Sequence, residues 1–543
     1  MNYFIGVDVG TTSARAALVS ETGKVVKVAT KNIQIFNYNV DFYEQSSEDV
    51  WNACLYCIKE VIKNVPPETI KGIGFDATCS LVVVDKNGDP LSVSQSGNND
   101  QNIIMWLDHR ASKEADEITA QQHDILRFVG GKISLEMETP KLKWLKTNLP
   151  KTWSNAGYFF DLPDYLTWRA TSCDSRSLCS LVCKWTYEIL DANNNTSQWN
   201  PSYFKQTCLE DLLQNGGHKI GKVVKSPGES VGNGLHPLVA AELDLVPHMP
   251  VGASIIDAHS GGLGLIGCQV DGVDADFSSR LSLICGTSTC HMAVSKDALP
   301  TPGIWGPYYS AMVPGMWLNE AGQSVTGKLI DFIIDSHPAS NEIKARIGDM
   351  HIQEYLTKLL RTISTREKVP VDFLTKEVHV WPDFHGNRSP IADPTLKGMI
   401  SGLTLSSTEE NLAILYLATV QALCYGTRHI METLVSSGYK PFKSILICGG
   451  LSKNPLYVQM QANTVHLPVV VPEEVESVLL GAAILGACAA GHFENMFEAI
   501  SRMGGRGKSI SPEDSTRNYH DKKYRVYKKM LEDQLAYRNI MNE

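Results

Sequence analysis

The chain has 543 residues, more than one hydrophobic core usually supports, so two large domains are expected. Hydrophobic residues make up 43% and charged residues 20%, and 49 Lys and Arg against 59 Asp and Glu leave a formal charge of −10, which gives no electrostatic reason to hold nucleic acid. Thirteen cysteines, odd in number and scattered, argue against a disulfide framework and for reduced thiols in a cytoplasmic protein.

The N-terminus lacks a basic start and Asp8 interrupts its first apolar run, so no signal peptide is expected. Phe4-Ile5-Gly6-Val7-Asp8-Val9 reads as a buried strand running into the turn Gly10-Thr11-Thr12-Ser13. Ala14 to Ser20 and Lys24 to Val28 return as strands around Gly23. A helix from about Ser47 carries Cys54 and Cys57. No second cysteine pair follows at zinc spacing, so these two read as core residues. Ile70 to Asp76 is a further buried strand that ends at an acid. Asn195-Thr196-Ser197 is a glycosylation sequon, without consequence in a cytoplasmic chain. Ala253-Ser254-Ile255-Ile256 ends in Asp257 before a glycine-rich helix.

The second half repeats the opening. Arg280 to Cys285 is a strand, Gly286-Thr287-Ser288-Thr289 its turn, and Cys290 to Val294 the return. Ser444 to Cys448 leads into a third such turn, Gly449-Gly450-Leu451-Ser452-Lys453-Asn454. Val478 to Ala490 is too short to cross a bilayer and reads as a buried Ala/Gly-rich helix. The polar tail after Gly504 reads as a solvated helix. Strands alternating with helices imply an α/β fold.

The turns carry chemistry. Glycine lets backbone approach phosphate oxygens, and Thr or Ser hydroxyls add donors. Gly10-Thr11-Thr12 and Gly286-Thr287 suit a phosphate, Asp8 suits a hydrated Mg²⁺, and Arg15 adds positive charge. A plain hairpin would use the first turn as well. Asp257 suits a general base for a hydroxyl, or an N-cap for the helix after it. Two motifs mislead. Gly262-Leu263-Gly264-Leu265-Ile266-Gly267 fits G-x-G-x-x-G but opens no dinucleotide unit, so close helix packing explains it better. Gly504 to Ser509 resembles a P-loop without its first glycine or its strand.

Over roughly residues 3 to 490 the chain resembles the FGGY carbohydrate kinase family of the actin/hexokinase/Hsp70 superfamily. It is most similar to the eukaryotic D-ribulokinase-like branch. That similarity rests on Gly74 to Val83, Met105 to Arg110, Ser180 to Trp185 and Trp381 to Pro390. The resemblance implies two actin/hexokinase-like (ribonuclease H-like) domains with an interdomain cleft. The expected divisions are 1–270 with the sugar site and first phosphate motif, 271–492 with the nucleotide site, and a helical tail over 493–543.

It further implies ATP and Mg²⁺. Asp8, Gly10, Thr11, Thr12, Arg15, Gly286 and Thr287 would serve the phosphates. Gly322, Gly449, Gly450 and Asn454 would line the adenosine pocket, and Asp8 and Asp257 would hold the metal. Asp257 would be the base, and Cys79, Lys184, Asp257 and Glu320 would surround a ketose. Asp108 and Arg110 suit either sugar contacts or a salt-bridged turn. Lys184 and Glu320 look unpaired in apolar surroundings, with a buried ion pair as the other reading. The loop of His385, Asn387 and Arg388 looks near the cleft, without direct contact.

The partners expected are a small sugar and ATP, with no nucleic acid and no membrane, and a homodimer stays open. D-ribulose phosphorylation is the first expectation. L-ribulose, xylulose or ribitol, or an actin/Hsp70-type ATPase switch without a sugar, are the alternatives.

Overall fold

The computed structural model describes residues 1–194 and 196–543, and the sequon's Asn195 lies outside the described residues. The β-branched runs of the sequence become the buried strands of two sheets. In the first, β1 (Tyr3–Val9), β2 (Ser13–Ser20) and β3 (Val25–Asn32) form an antiparallel meander. On the other side of β1, β4 (Ile70–Ala77) and β5 (Ile255–Ile256) run parallel to it, giving the order β5-β4-β1-β2-β3.

The second sheet repeats this arrangement. β6 (Arg280–Cys285) is its first strand, flanked antiparallel by β7 (Thr289–Ser295), with β8 (Trp305–Tyr309) and β9 (Trp317–Gln323) beyond. On the other side β10 (Ser444–Cys448) and β11 (Val469–Pro472) run parallel, and β12 (Gly507–Ile510) closes the edge. Its order is β8-β9-β7-β6-β10-β11-β12. The two Gly-Thr turns thus occupy the same place in each sheet, between the first strand and its hairpin partner.

Helices fill the faces. In α1 (Ser47–Ile62) the Ser46 hydroxyl accepts from the Asp49 N–H, and Glu48 and Asp49 meet the positive end of the helix. Cys54 and Cys57 are buried on its inner face, as core residues.

Two other helices cross between the lobes. α2 (Asp257–Ile266) continues from β5 yet packs on β6 and β10 of the second sheet. After the long helix α3 (Glu409–Ser436), α4 (Ser477–Ala489) follows β11 yet packs on β1 and β4 of the first. Every residue of α4 from Leu479 to Ala487 is buried, so no amphipathic pattern marks it.

α2 and α4 meet backbone to backbone. A Cβ on Gly264 would lie 2.0 Å from the Ser477 carbonyl oxygen, and one on Gly481 would lie 2.0 Å from that of Ser260. The G-x-G-x-x-G run is therefore a packing feature. Gly481→Ala is expected to destabilise the chain by at least the ~1–3 kcal/mol typical of overpacking, because backbone is what it strikes. Urea unfolding followed by circular dichroism measures this, and an unchanged midpoint would contradict it.

The tail departs from expectation. α5 (Arg517–Asn542) is not fully solvated: it buries His520, Tyr524 and Tyr527 in a stripe at helical spacing. The stripe lies beside Trp381 and Tyr425, and His520 Nε2 lies 2.7 Å from Asp372. Lys523, buried as well, donates to the Thr375 and Val378 carbonyls. The basic residues that dominate the composition hide this stripe. Among the described residues no helix is long and apolar enough to cross a membrane.

Candidate active site

Register builds the first part of the site. Asp8 and Asp76 are paired residues of the parallel strands β1 and β4, and Asp76 also pairs with Ile255 of β5, two residues before Asp257. Parallel pairing therefore delivers three acids to the same ends of three neighbouring strands.

Their environments differ. Arg15 grips Asp8 through Oδ2, with its Nε at 2.8 Å, and reaches Glu476 at 2.8 Å with its other arm. The Oδ1 of Asp8 is left out of that pair. Asp76 is fully buried, and among the described residues neither of its oxygens makes a hydrogen bond of ordinary geometry, although it lies against Asp8 and Ser260. Burial first and Asp8 second push its carboxyl well above the usual range. Asp257, at the start of α2, is partly exposed, and its Oδ1 accepts from the Ala258 N–H at 2.7 Å. Burial and then Asp8 raise it to about 7.

Two buried oxygens without partners, between two further carboxylates, fit a hard cation that keeps some of its water. Asp8 and Asp257, the flanking carboxylates, could hold Mg²⁺. Asp76 is a third acid that the sequence reading left unassigned, although Ile70 to Asp76 shows the same strand-then-acid signature as β1.

The turns are built alike. The Gly10 N–H donates to Ser13 O at 3.0 Å and the Gly286 N–H to Ser288 O at 2.8 Å, so each glycine closes its own turn. Neither glycine needs to be small for packing: a Cβ would meet nothing nearer than 3.8 Å at Gly10 or 3.9 Å at Gly286. Open space above a glycine turn suits the close approach of a ligand. Trp106 donates its indole N–H to the Thr11 hydroxyl at 3.1 Å, which leaves the Thr11 O–H free to donate.

A cavity of about 690 Å³ opens between the lobes, walled by Trp106 and Glu136 from one and by Ser288, Trp305, His385 and Arg388 from the other. Lys184 and Glu320 stand just behind this wall, and each is paired rather than lone. Lys184 Nζ lies 3.4 Å from Glu136, and Glu320 binds Arg388. Trp305 separates the two cations, with Lys184 at 4.5 Å and Arg388 at 4.4 Å from its ring centroid. Burial opposes the charge of Glu320, but Lys184 and Arg388 outweigh it and hold the carboxyl down at about 2. Cys79 is buried, and its thiol is pushed well up, by burial first. The Arg388 loop, expected only near the cleft, forms part of its wall. Glu136 and Trp305 were not singled out in the sequence, because neither sits in a motif.

Several expected contacts take other roles. The side chains of Asp108 and Arg110 are completely buried. Arg110 meets Asp108 at 2.7 Å and Glu44 at 2.9 Å, donates to Val93 O, and lies over Phe42 and Trp144. The second Asp108 oxygen accepts from the Tyr43 N–H as well as from Arg110. This is the salt-bridged turn, closed to sugar. Arg110→Met is expected to cost about 3–5 kcal/mol in unfolding free energy, because it strands two acids, while sugar KM in the folded fraction stays unchanged. Denaturant unfolding beside steady-state kinetics would show it, and a raised sugar KM would restore the contact reading.

Asn454 caps the helix Pro455–Val465. Its oxygen accepts from the Leu456 and Tyr457 N–H groups, and its amide donates to Tyr416 and Gln353. No polar capacity is left over for a nucleotide. Gly449 has φ +88°, and a Cβ there would lie 2.4 Å from Cys285 O, so it shapes the turn, while Gly450 is open to solvent. Gly322 is buried beneath Arg388 on β9, with β7 and β6 between it and the strand that leads to Gly449.

Two sheets of one topology, each with a hydroxyl turn after its first strand, and acids at the parallel strand ends of the first, define the actin/hexokinase-like class of two-lobed proteins. Comparison with known proteins agrees. The N-terminal domain of the FGGY family of carbohydrate kinases matches residues 3–264 and its C-terminal domain matches residues 281–490. The chain belongs to the FGGY family of carbohydrate kinases and is an ATP-dependent sugar kinase.

It is 51% identical to a human FGGY carbohydrate kinase domain-containing protein, over 100% of this chain and 98% of that one. It is 37% identical to a D-ribulokinase of Saccharomyces cerevisiae, over 98% of this chain and 77% of that one. A xylulose kinase structure from Rhodospirillum rubrum shares the fold with a TM-score of 0.79 at 18% identity, each chain covered to 99%.

Proposed function

We propose that this protein transfers the γ-phosphoryl group of ATP to a primary hydroxyl of D-ribulose, giving D-ribulose 5-phosphate and ADP. The reaction reading is carried by Asp257, an acid that burial and Asp8 raise to about 7 at the strand ends that lead into the first Gly-Thr turn. The choice of sugar is supported by the similarity to the yeast D-ribulokinase along nearly the whole chain.

The turns cradle the phosphates, through the hydroxyls of Thr11, Thr12 and Thr287. Bound Mg²⁺ would supply charge neutralisation at the phosphate oxygens, held by Asp8 and Asp257. Cys79, Lys184 and Glu320 orient the ketose. Asp257 accepts the proton of the primary hydroxyl as its oxygen bonds to the γ-phosphorus. The bond from that phosphorus to the bridging oxygen breaks, and ADP leaves. No covalent enzyme intermediate is required. Most of the acceleration comes from positioning and charge stabilisation. Closing the lobes excludes water, which would otherwise take the phosphoryl group.

ADP release should be measured with D-ribulose, L-ribulose, D-xylulose, ribitol, glycerol and no sugar. D-ribulose is expected to give the highest kcat/KM. A higher value with another acceptor would reassign the substrate, and ADP release that ignores added sugar would favour the ATPase-switch reading.

A further inference from the structure

Behind the Glu320–Arg388 pair lies a cluster that phosphoryl transfer does not use. Cys179 and Cys183 stand one turn apart on the short helix Leu178–Lys184, and His259 reaches them from α2. The two sulfurs and the imidazole nitrogen all lie within 4.8 Å of one another, and all three residues have no exposed surface. Cys183 Sγ is 3.6 Å from His259 Nε2, and Glu320 Oε2 is 3.5 Å from the same nitrogen. That carboxylate oxygen is buried without a hydrogen-bond partner among the described residues, in a side chain that is 3% exposed. An oxygen of this kind is unfavourable unless something meets it.

The geometry points to a metal site apart from the phosphate end: Cys179, Cys183, His259 and Glu320 make a donor set for one thiophilic divalent cation of the zinc class. Tetrahedral zinc has bonds of about 2.0–2.3 Å, which puts neighbouring donor atoms about 3.3–3.8 Å apart. The Cys183–His259 and His259–Glu320 separations already fall there, and a turn of the Cys179 side chain brings in the fourth donor. Two sulfurs and an imidazole select zinc-like ions over Mg²⁺, which demands oxygen. On binding, each thiol gives up its proton to solvent, so two protons leave per cation. The charge of two thiolates and one carboxylate is then met by the cation together with Lys184 and Arg388. Glu320 cannot serve a cation and a sugar at once, so the cation competes with sugar. This last clause rests on the sugar role given to Glu320 above; the site itself does not.

The test is titration of the reduced, chelator-treated full chain with Co²⁺, read by its visible and thiolate charge-transfer absorption. One equivalent of tetrahedral Co²⁺ is expected. Cys183→Ser and Cys179→Ser should each weaken it at least tenfold, and Cys208→Ser, which removes an exposed thiol, should not. Thermal melts identify any variant that fails to fold, and His259→Gln serves in its place. Absence of the tetrahedral bands, or bands indifferent to all three cluster variants, would overturn the site. In parallel, Zn²⁺ should raise sugar KM at saturating Mg·ATP with kcat unchanged. Tetrahedral bands without this competition would support the metal site and count against Glu320 as a sugar contact.

Discussion

Asp257→Asn is expected to lower kcat by about 10²–10⁴-fold, the range general-base catalysis supplies, while ADP affinity stays within a few-fold. Among the described residues one hydrogen bond ties this carboxylate, from the Ala258 N–H to Oδ1, and an asparagine oxygen can keep it. What asparagine loses is the ability to take a proton. Burial and Asp8 place the acid at about 7, high enough to accept a proton and low enough to leave about half of it ionised at neutrality. Single-turnover kinetics and calorimetric ADP titration separate the chemical step from binding. Turnover within tenfold of the parent would mean that the hydroxyl proton leaves by another route. Equal loss of nucleotide binding would instead mean that Asp257 acts through the metal alone and not also as the base.

Much of the framework was legible because its signals are local. β1 and β6 are mostly apolar runs that stop just before a glycine, and their echo pointed to two lobes before any packing was known. What stayed hidden depends on non-local contact. α4 is apolar on every side, so its sequence shows that it is buried but not that it crosses to the opposite lobe. Asp76 carries the same local signal as Asp8, yet only the β1–β4 register shows that the two acids meet. Arg110 and Asp108 suited a sugar contact or a salt-bridged turn equally, because Glu44, which completes their pairing, lies far away in sequence. The same holds for Lys184 with Glu136 and for Glu320 with Arg388, partners brought together only by the fold. The turns themselves were readable, and the pairs that fix their neighbours were not.

The pair that joins the lobes' chemistry to the cavity gives the second large effect. Glu320→Gln is expected to reduce kcat/KM for sugar by roughly 10–150-fold, from the loss of about 1.5–3 kcal/mol in charge-assisted hydrogen bonding. The shape of the side chain is kept, so packing on β9 changes little. The charge is not, and Arg388, whose Nε lacks a hydrogen-bond partner among the described residues, is left facing a neutral amide. Glu136 lies close enough to Arg388 to hold part of that charge, so the stability loss should fall below the full ~3–5 kcal/mol of a stranded buried ion. The kinetic pattern separates two causes. If Glu320 holds the ketose, sugar KM rises and ATP KM does not. If Glu320 only braces Arg388 and the loop behind it, both KM values move together with the melting temperature, and Arg388→Met reproduces the whole effect. A sugar-selective change in Glu320→Gln, larger than that of Arg388→Met, would fix the carboxylate rather than the guanidinium as the group that reads the sugar hydroxyls.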